Sequence, residues 1–379
     1  MGLALLLAAC SPRGPAPARL EQVLRSSWQS YVEHFIAPEG RVMIPERGGG
    51  TISEAQAYAL LRAVWAGDEA AFARIFRWTR ENLSRSGTHG DRLLAWEWGR
   101  KDGGAWGVLD NNTAADGDLD YALALCLAAR RGWRGPPGLP GYGEEARAVA
   151  GDILKLETAA LANGELLLTP GNWHEGEPPF LTNPSYFSPA AYVLLGKINT
   201  NRDWPRLRAS TYALLGRLAG GLGSRPGVGL FPDWCRVDVD GDPGPAPGRD
   251  TNFGWEAVRL PFRVALDALW FKNEQAARLL KDKFLPFFRQ EWQAKGRLAA
   301  VYRLDGTEAA DYESPVLYAG VLAAALAARD GEFAGHLARK ILTFYQEKDG
   351  RAFFVSPDNY YADNWAWLGL ALYAGWVRP

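Results

Sequence analysis

The chain has 379 residues, 47% of them hydrophobic and 22% charged, and a formal net charge of −1. That is enough chain for a sizeable buried core, and the near-neutral balance excludes both the basic footprint of a nucleic-acid binder and a polybasic membrane patch. The aromatic content stands out: 16 Trp, 14 Tyr and 16 Phe. Such rings fill cores, and they also offer flat apolar faces with a polar tip, which suit the stacking of sugar rings.

The first ten residues, "MGLALLLAAC", form an apolar run too short to cross a bilayer. They read as a signal segment, and "LAAC" resembles the lipobox of bacterial lipoproteins, which makes Cys10 a lipidation site. Residues 11–19 are Pro-rich and read as a tether. A single domain over 20–379 is expected to follow, since no linker interrupts that stretch.

Helical periodicity then runs almost without a break. It predicts helices near 20–36, 53–66, 68–83, 117–131, 144–161, 186–198, 203–219, 253–270, 273–292, 314–329, 331–347 and 360–376. Strand-like alternation is scarce. Long loops at 85–115, 163–185 and 221–252 separate the helix pairs, and loops of that length in a compact domain are usually functional. About twelve helices in hairpins, with aromatic-bearing loops, predict an all-α fold, an (α/α)6 barrel whose inner helix ends and loops build a groove.

Three stretches carry chemistry. In "TISEAQAYAL" at 51–60, Glu54 opens a helix. A Thr51–Glu54 capping box would turn Glu54 back onto the backbone and favour its anion. An overlapping Ser53–Gln56 box would leave Glu54 free to point into a groove. The local sequence leaves both registers open. At 111–133, Asp116, Asp118 and Asp120 precede an apolar helix, more carboxylates than a cap needs. A calcium loop is not matched, because its glycine and distant glutamate are missing. At 249–267, Glu256 and Arg259 stand three apart among Trp255, Phe253 and Phe262, with Pro261 expected to distort the helix. The four scattered histidines show no metal-ligand spacing, so no metal is expected; Cys126 and Cys235 could pair in an oxidising compartment, but the apolar helix around Cys126 favours buried free thiols.

Together these segments resemble glycoside hydrolase family 8, which includes cellulases associated with cellulose synthase operons. "TISEAQAYAL", "TAADGDLDYALAL", "NPSYFSP" at 183–189, "WEAVRLPFR" at 255–263 and "YYADNWAWLGLAL" at 360–372 are similar to family segments, in the right order. The resemblance implies an (α/α)6 barrel that hydrolyses internal β-1,4 bonds of a cellulose-like glucan with inversion. It implies Glu54 as general acid, Asp116 as the residue holding the sugar beside the cleaved bond, and Tyr186 and Arg259 in the catalytic surround. The usual base position is an Asp, and here it is Glu256; Asp250 in the preceding loop is the first alternative. Ala115 also replaces the family's Ser or Thr. Trp96, Trp106, Trp173 and Tyr361 are candidates for sugar stacking. No cofactor is expected, and a monomer is. The competing expectations are a chitosanase or xylanase, with Asp311 and Glu313 as acidic subsites for a cationic glycan, or a protein that binds β-glycan without cleaving it.

Overall fold

The structure, a computed structural model, describes residues 14–174 and 176–379; Cys10 and its lipidation motif lie outside them. Twelve helical rods organise these residues. They are α1 Pro17–Phe35, α2 Ser53–Ala66, α3 Glu69–Asn82, α4 Ala115–Arg130, α5 Tyr142–Leu156, α6 Pro189–Ile198, α7 Asp203–Ala219, α8 Leu260–Phe271, α9 over 274–295, α10 Pro315–Ala327, α11 Gly331–Leu342 and α12 Tyr360–Tyr373. The first helix starts inside the stretch read as tether, with Pro17 in its first turn, where a proline's missing N–H costs nothing.

The even-numbered helices form a closed inner ring: α2 packs on α4, α4 on α6, α6 on α8, α8 on α10, α10 on α12 and α12 on α2. The odd-numbered helices lie outside, and the whole is an (α/α)6 barrel. Sequence explains the sorting. Inner helices such as "PVLYAGVLAAALA" are apolar on every side and buried on every side. Outer helices such as "GEFAGHLARKIL" carry one apolar stripe and one charged face. The inner helices begin at one end of the barrel, so their N-termini surround a common mouth.

Proline and glycine locate the breaks. Pro286 lacks an N–H for the i→i−4 ladder, and α9 widens into a π-turn, Leu279–Phe284, just before it. The helix expected over 253–270 begins as a 3-10 turn, Ala257–Arg259, and becomes α-helical only at Leu260, with Pro261 in the first turn. Glu256 is therefore not within a helix; it precedes the turn that ends at Arg259.

The expectation of scarce strands needs correcting. Among the described residues the loops carry short strands: β1 Thr51–Ile52, β2 Glu97–Arg100, β3 Trp106–Asp110, β4 Thr158–Ala160, β5 Leu166–Leu168, β6 Phe180–Thr182, β7 Gly221–Leu222, β8 Arg225–Pro226, β9 Cys235–Val237, β10 Pro243–Pro245, β11 Tyr345–Lys348 and β12 Arg351–Phe354. All pair antiparallel in two- or three-stranded sheets. They give the long loops fixed shape, and β1–β2–β3 builds one rim of the mouth. Helices α5 and α11 end earlier than expected because β4 and β11 take over their last residues. Cys126 and Cys235 are buried free thiols, as read from the sequence.

Candidate active site

At the mouth of the barrel lies a cavity of about 630 Å³. Its walls include Trp96, Trp173, Trp234 and Trp255, and its floor holds Glu54, Asp116, Glu256 and Arg259. Each floor residue comes from the start of an inner helix or the turn before one, so backbone N–H groups face the opening.

Glu54 lies in the first turn of α2, which has Ile52 as its N-cap and no side-chain cap. Neither capping box forms. Gln56 instead accepts the Val42 N–H at 2.5 Å and donates to Thr79 Oγ1 at 2.7 Å, so tertiary partners claim it. Glu54 points into the cavity and accepts the Tyr360 hydroxyl at 3.0 Å. Asp116 is brought beside it by Gly117: a Cβ there would stand 2.5 Å from Ser53 Oγ and 3.1 Å from the Glu54 nitrogen. Only glycine lets the first turns of α2 and α4 approach this closely.

Arg259 joins the three carboxyls. Its Nη1 donates to Glu54, to Asp116 at 2.9 Å and to the Tyr58 hydroxyl at 3.1 Å. Its Nη2 donates to Glu256 and to Ser185 Oγ at 2.8 Å. The 3-10 turn matters here, because residues three apart eclipse in that geometry and Glu256 falls over Arg259. Asn183 also donates to Glu256, at 3.0 Å. Below the turn, Asp233 accepts the N–H groups of Gly254, Glu256 and Ala257, the last at 2.6 Å. A Cβ at Gly254 would sit 2.5 Å from Asp233 Oδ2, so that glycine is required for the cap.

Three carboxyls around one guanidinium leave an excess of negative charge in a poorly hydrated place. The relief falls on Glu54. Burial, above all, and the neighbouring charges of Asp116 and Glu256 raise its pKa to about 7, against the opposing pull of Arg259 and Tyr360. Burial likewise raises Asp233 to about 7, despite its backbone donors.

The three aspartates at alternate positions of α4 divide their work. Asp116 faces the cavity. Asp120, one turn deeper on the same side, forms a two-bond pair with Arg263 at 2.5 and 2.7 Å. Asp118 points the other way, into the protein.

Most of the aromatics named from sequence also line the cavity. Trp96 does so with Arg47 over its ring at 5.4 Å. Trp173 is 40% exposed and anchored by its indole N–H to the Thr113 carbonyl at 3.1 Å. Tyr186 lies under the Arg259 guanidinium at 5.4 Å. Tyr361 donates to the Trp255 carbonyl at 2.5 Å. Trp106 is the exception. It pairs with Arg100 near the tip of the β2–β3 hairpin, so its ring stacks on Trp98 at 5.0 Å and is not among the cavity-lining residues. Asp250 does not line the cavity either; its carboxylate turns back to its own loop and accepts the Asn252 N–H at 2.8 Å. Sequence reading missed Tyr360, Tyr58 and Asp233. Tyr360 had a signal, as the residue before Tyr361 at a helix start. Asp233 had none, because its partners lie in another loop.

An (α/α)6 barrel whose mouth combines buried carboxyls with exposed tryptophan faces is a glycan-handling protein of the glycosidase class. The chain belongs to the glycosyl hydrolases family 8, whose family model matches residues 11–368. It is 29% identical over 290 residues to Endoglucanase A of Acetivibrio thermocellus, an overlap that covers 76% of this chain and 56% of that protein. It is 33% identical over 262 residues to the endoglucanase of Escherichia coli K12, covering 69% of this chain and 66% of that one. The apo structure of the beta-1,3-1,4-glucanase from Paenibacillus sp.X4 superimposes with a TM-score of 0.78 over 96% of this chain and 95% of that one. At 20% identity that likeness speaks for the fold alone.

Proposed function

We propose that this protein is an endo-β-1,4-glucanase that cleaves internal bonds of a cellulose-like glucan with inversion. Glu54 protonates the leaving oxygen, Glu256 takes a proton from the attacking water, and Asp116 holds the distorted sugar, its charge favouring the oxocarbenium-like transition state. The observation that carries this reading is the sharing of Arg259 by three carboxyls, with burial and the neighbouring charges raising Glu54 to about 7. Glu54 and Glu256 sit on different nitrogens of one guanidinium, so the two carboxyls flank the same point of the cavity. The relatives named endoglucanase support the substrate class.

A cationic glycan is disfavoured. Arg47 and Arg249 line the cavity beside Arg259, whereas Asp311 and Glu313 do not; Glu313 is held by Lys340 at 2.8 Å and by the Tyr318 hydroxyl at 3.0 Å. A reducing-sugar assay on carboxymethylcellulose, mixed-linkage β-glucan, xylan and chitosan tests the reading, with the anomer of the first product followed by NMR. Release from the β-1,4-glucans as the inverted anomer is expected. Cleavage of chitosan or xylan alone overturns the substrate, and binding of glucan without cleavage overturns the enzyme. Glu256→Gln should abolish turnover and Asp250→Asn should not; the reverse moves the base into the loop.

We also propose that Cys10 carries a lipid anchor, that the enzyme works as a monomer at the outer face of a bacterial membrane, and that it serves a cellulose-producing system. An unmodified Cys10 in the membrane fraction, by mass spectrometry, rejects the anchor.

A further inference from the structure

Asp118 and Glu157 are two fully buried carboxyls behind the cleft floor. Each has one oxygen in use: Asp118 Oδ1 accepts the Leu94 N–H at 2.8 Å, and Glu157 Oε1 accepts the Thr113 hydroxyl at 2.6 Å. The other two oxygens, Asp118 Oδ2 and Glu157 Oε2, are buried without any donor. The two side chains are within hydrogen-bond reach of each other. The nearby cation is engaged, since Arg85 pairs with Asp91 at 2.9 Å and also donates to the Asn111 carbonyl. Asp116, the other charge facing the pair, is held by Arg259. The segment packed against Glu157 from the far side, 166–173, contains no titratable residue. Two like charges desolvated in contact cannot both persist, whereas one proton between the orphan oxygens satisfies both.

The pair also sits where two cleft walls meet. Leu94 leads to Trp96, whose carbonyl accepts the N–H of Ser53, the residue before Glu54. Thr113 accepts the Trp173 indole through its carbonyl, and it exchanges two hydrogen bonds with Asn172 at 2.9 Å each. Thr113 lies three residues before Asp116. We infer that Asp118 and Glu157 form a proton-sharing pair that positions Asp116 and the Trp96 and Trp173 walls, so that glycan is held well only while the shared proton remains. This rests on the glucanase reading for its kinetic test. Glu157 is raised to about 8 by burial, so the proton is lost in mildly alkaline solution, after Glu54 has lost its own at about 7.

The test separates KM from kcat between pH 5 and 9 on a soluble β-glucan. In the wild type, KM should rise by roughly tenfold as pH passes through about 8, the size of a 1.4 kcal/mol loss in binding. Glu157→Gln supplies a permanent N–H to Asp118 and keeps the acceptor for Thr113; it should flatten KM across that range. Glu157→Leu supplies neither and should raise KM at every pH. An unchanged KM rise in Glu157→Gln overturns the inference, as does identical behaviour of the two variants. Asp118→Asn places the amide on the other member and serves if Glu157→Gln fails to fold. A second readout needs no turnover. The infrared difference between Glu54→Gln and Glu54→Gln/Glu157→Gln at neutral pH should show one carboxylic-acid carbonyl band, lost with Glu157. That band without glucan cleavage would sink the glucanase reading and leave the pair standing; cleavage without the band does the opposite.

Discussion

Arg259 and Arg263 stand one turn apart, both buried, and each faces carboxylates across the barrel. Arg263 has one partner, Asp120, in a matched two-bond pair. Arg259 has three. The first arrangement is neutral and closed: it fastens α8 to α4 and leaves no charge in excess. The second is negative in excess and open to the cavity, and burial, reinforced by that imbalance, raises Glu54 to about 7. The same side chain serves as a rivet where the charges match and as the hub of the candidate site where they do not.

The largest effects should come from the three-carboxyl side. Glu54→Gln and Glu256→Gln should each lower kcat and kcat/KM by about 10²–10⁴-fold, the usual worth of acid or base catalysis, with glycan affinity retained in calorimetry. Arg263→Met should act on stability. Removing one partner of a buried pair costs about 3–5 kcal/mol, and Arg263→Met/Asp120→Leu should recover much of it, because an apolar pair leaves no stranded charge. Denaturant melts measure both. If Arg263→Met is as stable as wild type, the rivet is not one.

Smaller effects test the electrostatics. The proposed mechanism requires the acid form of Glu54, so kcat/KM should fall as pH rises through about 7. Asp116 contributes to that raised value, so in Asp116→Asn the residual activity should lose its alkaline side at a lower pH. Stability should move in the same direction. Glu54, Asp233 and Glu157 bind protons in the fold that the unfolded chain releases near the ordinary carboxylate range. Their contribution is complete below that range and is lost as pH rises through about 7 to 8, so thermal melting should be higher at pH 5.5 than at pH 8.5. Smallest are the aromatic changes. Trp173→Ala should raise KM roughly 2–12-fold, the worth of about 0.5–1.5 kcal/mol of ring contact, while Trp106→Ala should shift it by less than about twofold.

The barrel was legible because its signals are local. Periodicity located α2 and α7 to the residue, and pairs of helices with short turns implied the ring. The hairpin β11–β12 was readable too: Asp349 and Gly350 at its turn both have positive φ, the conformation that an Asp-Gly pair favours between strands. The helical period of α11 was carried through it instead. The contents of the loops were not legible, since β4 to β10 are two or three residues each, too short for alternation to show, and β6 pairs with β9 more than fifty residues away. In the site, Glu54, Asp116, Glu256 and Arg259 were found through motif order. The roles of Asp233, Tyr360 and the Asp118–Glu157 pair depend on contacts across 20 to 300 residues, which no local pattern encodes.

The ring is closed by its last member. Tyr360, at the start of α12, reaches Glu54 in α2 at 3.0 Å, and a few residues on Asp363 meets the buried Arg62 at 3.0 Å. Arg62 is itself lodged among Trp28, Tyr31 and Trp367. A chain emerging from the ribosome presents Glu54 306 residues before the tyrosine that holds it, and Arg62 301 residues before the aspartate that locks their helices together. The nascent chain therefore cannot give Glu54 its hydroxyl partner until α12 has emerged, so the docking of that helix is the step that finishes the floor of the cavity.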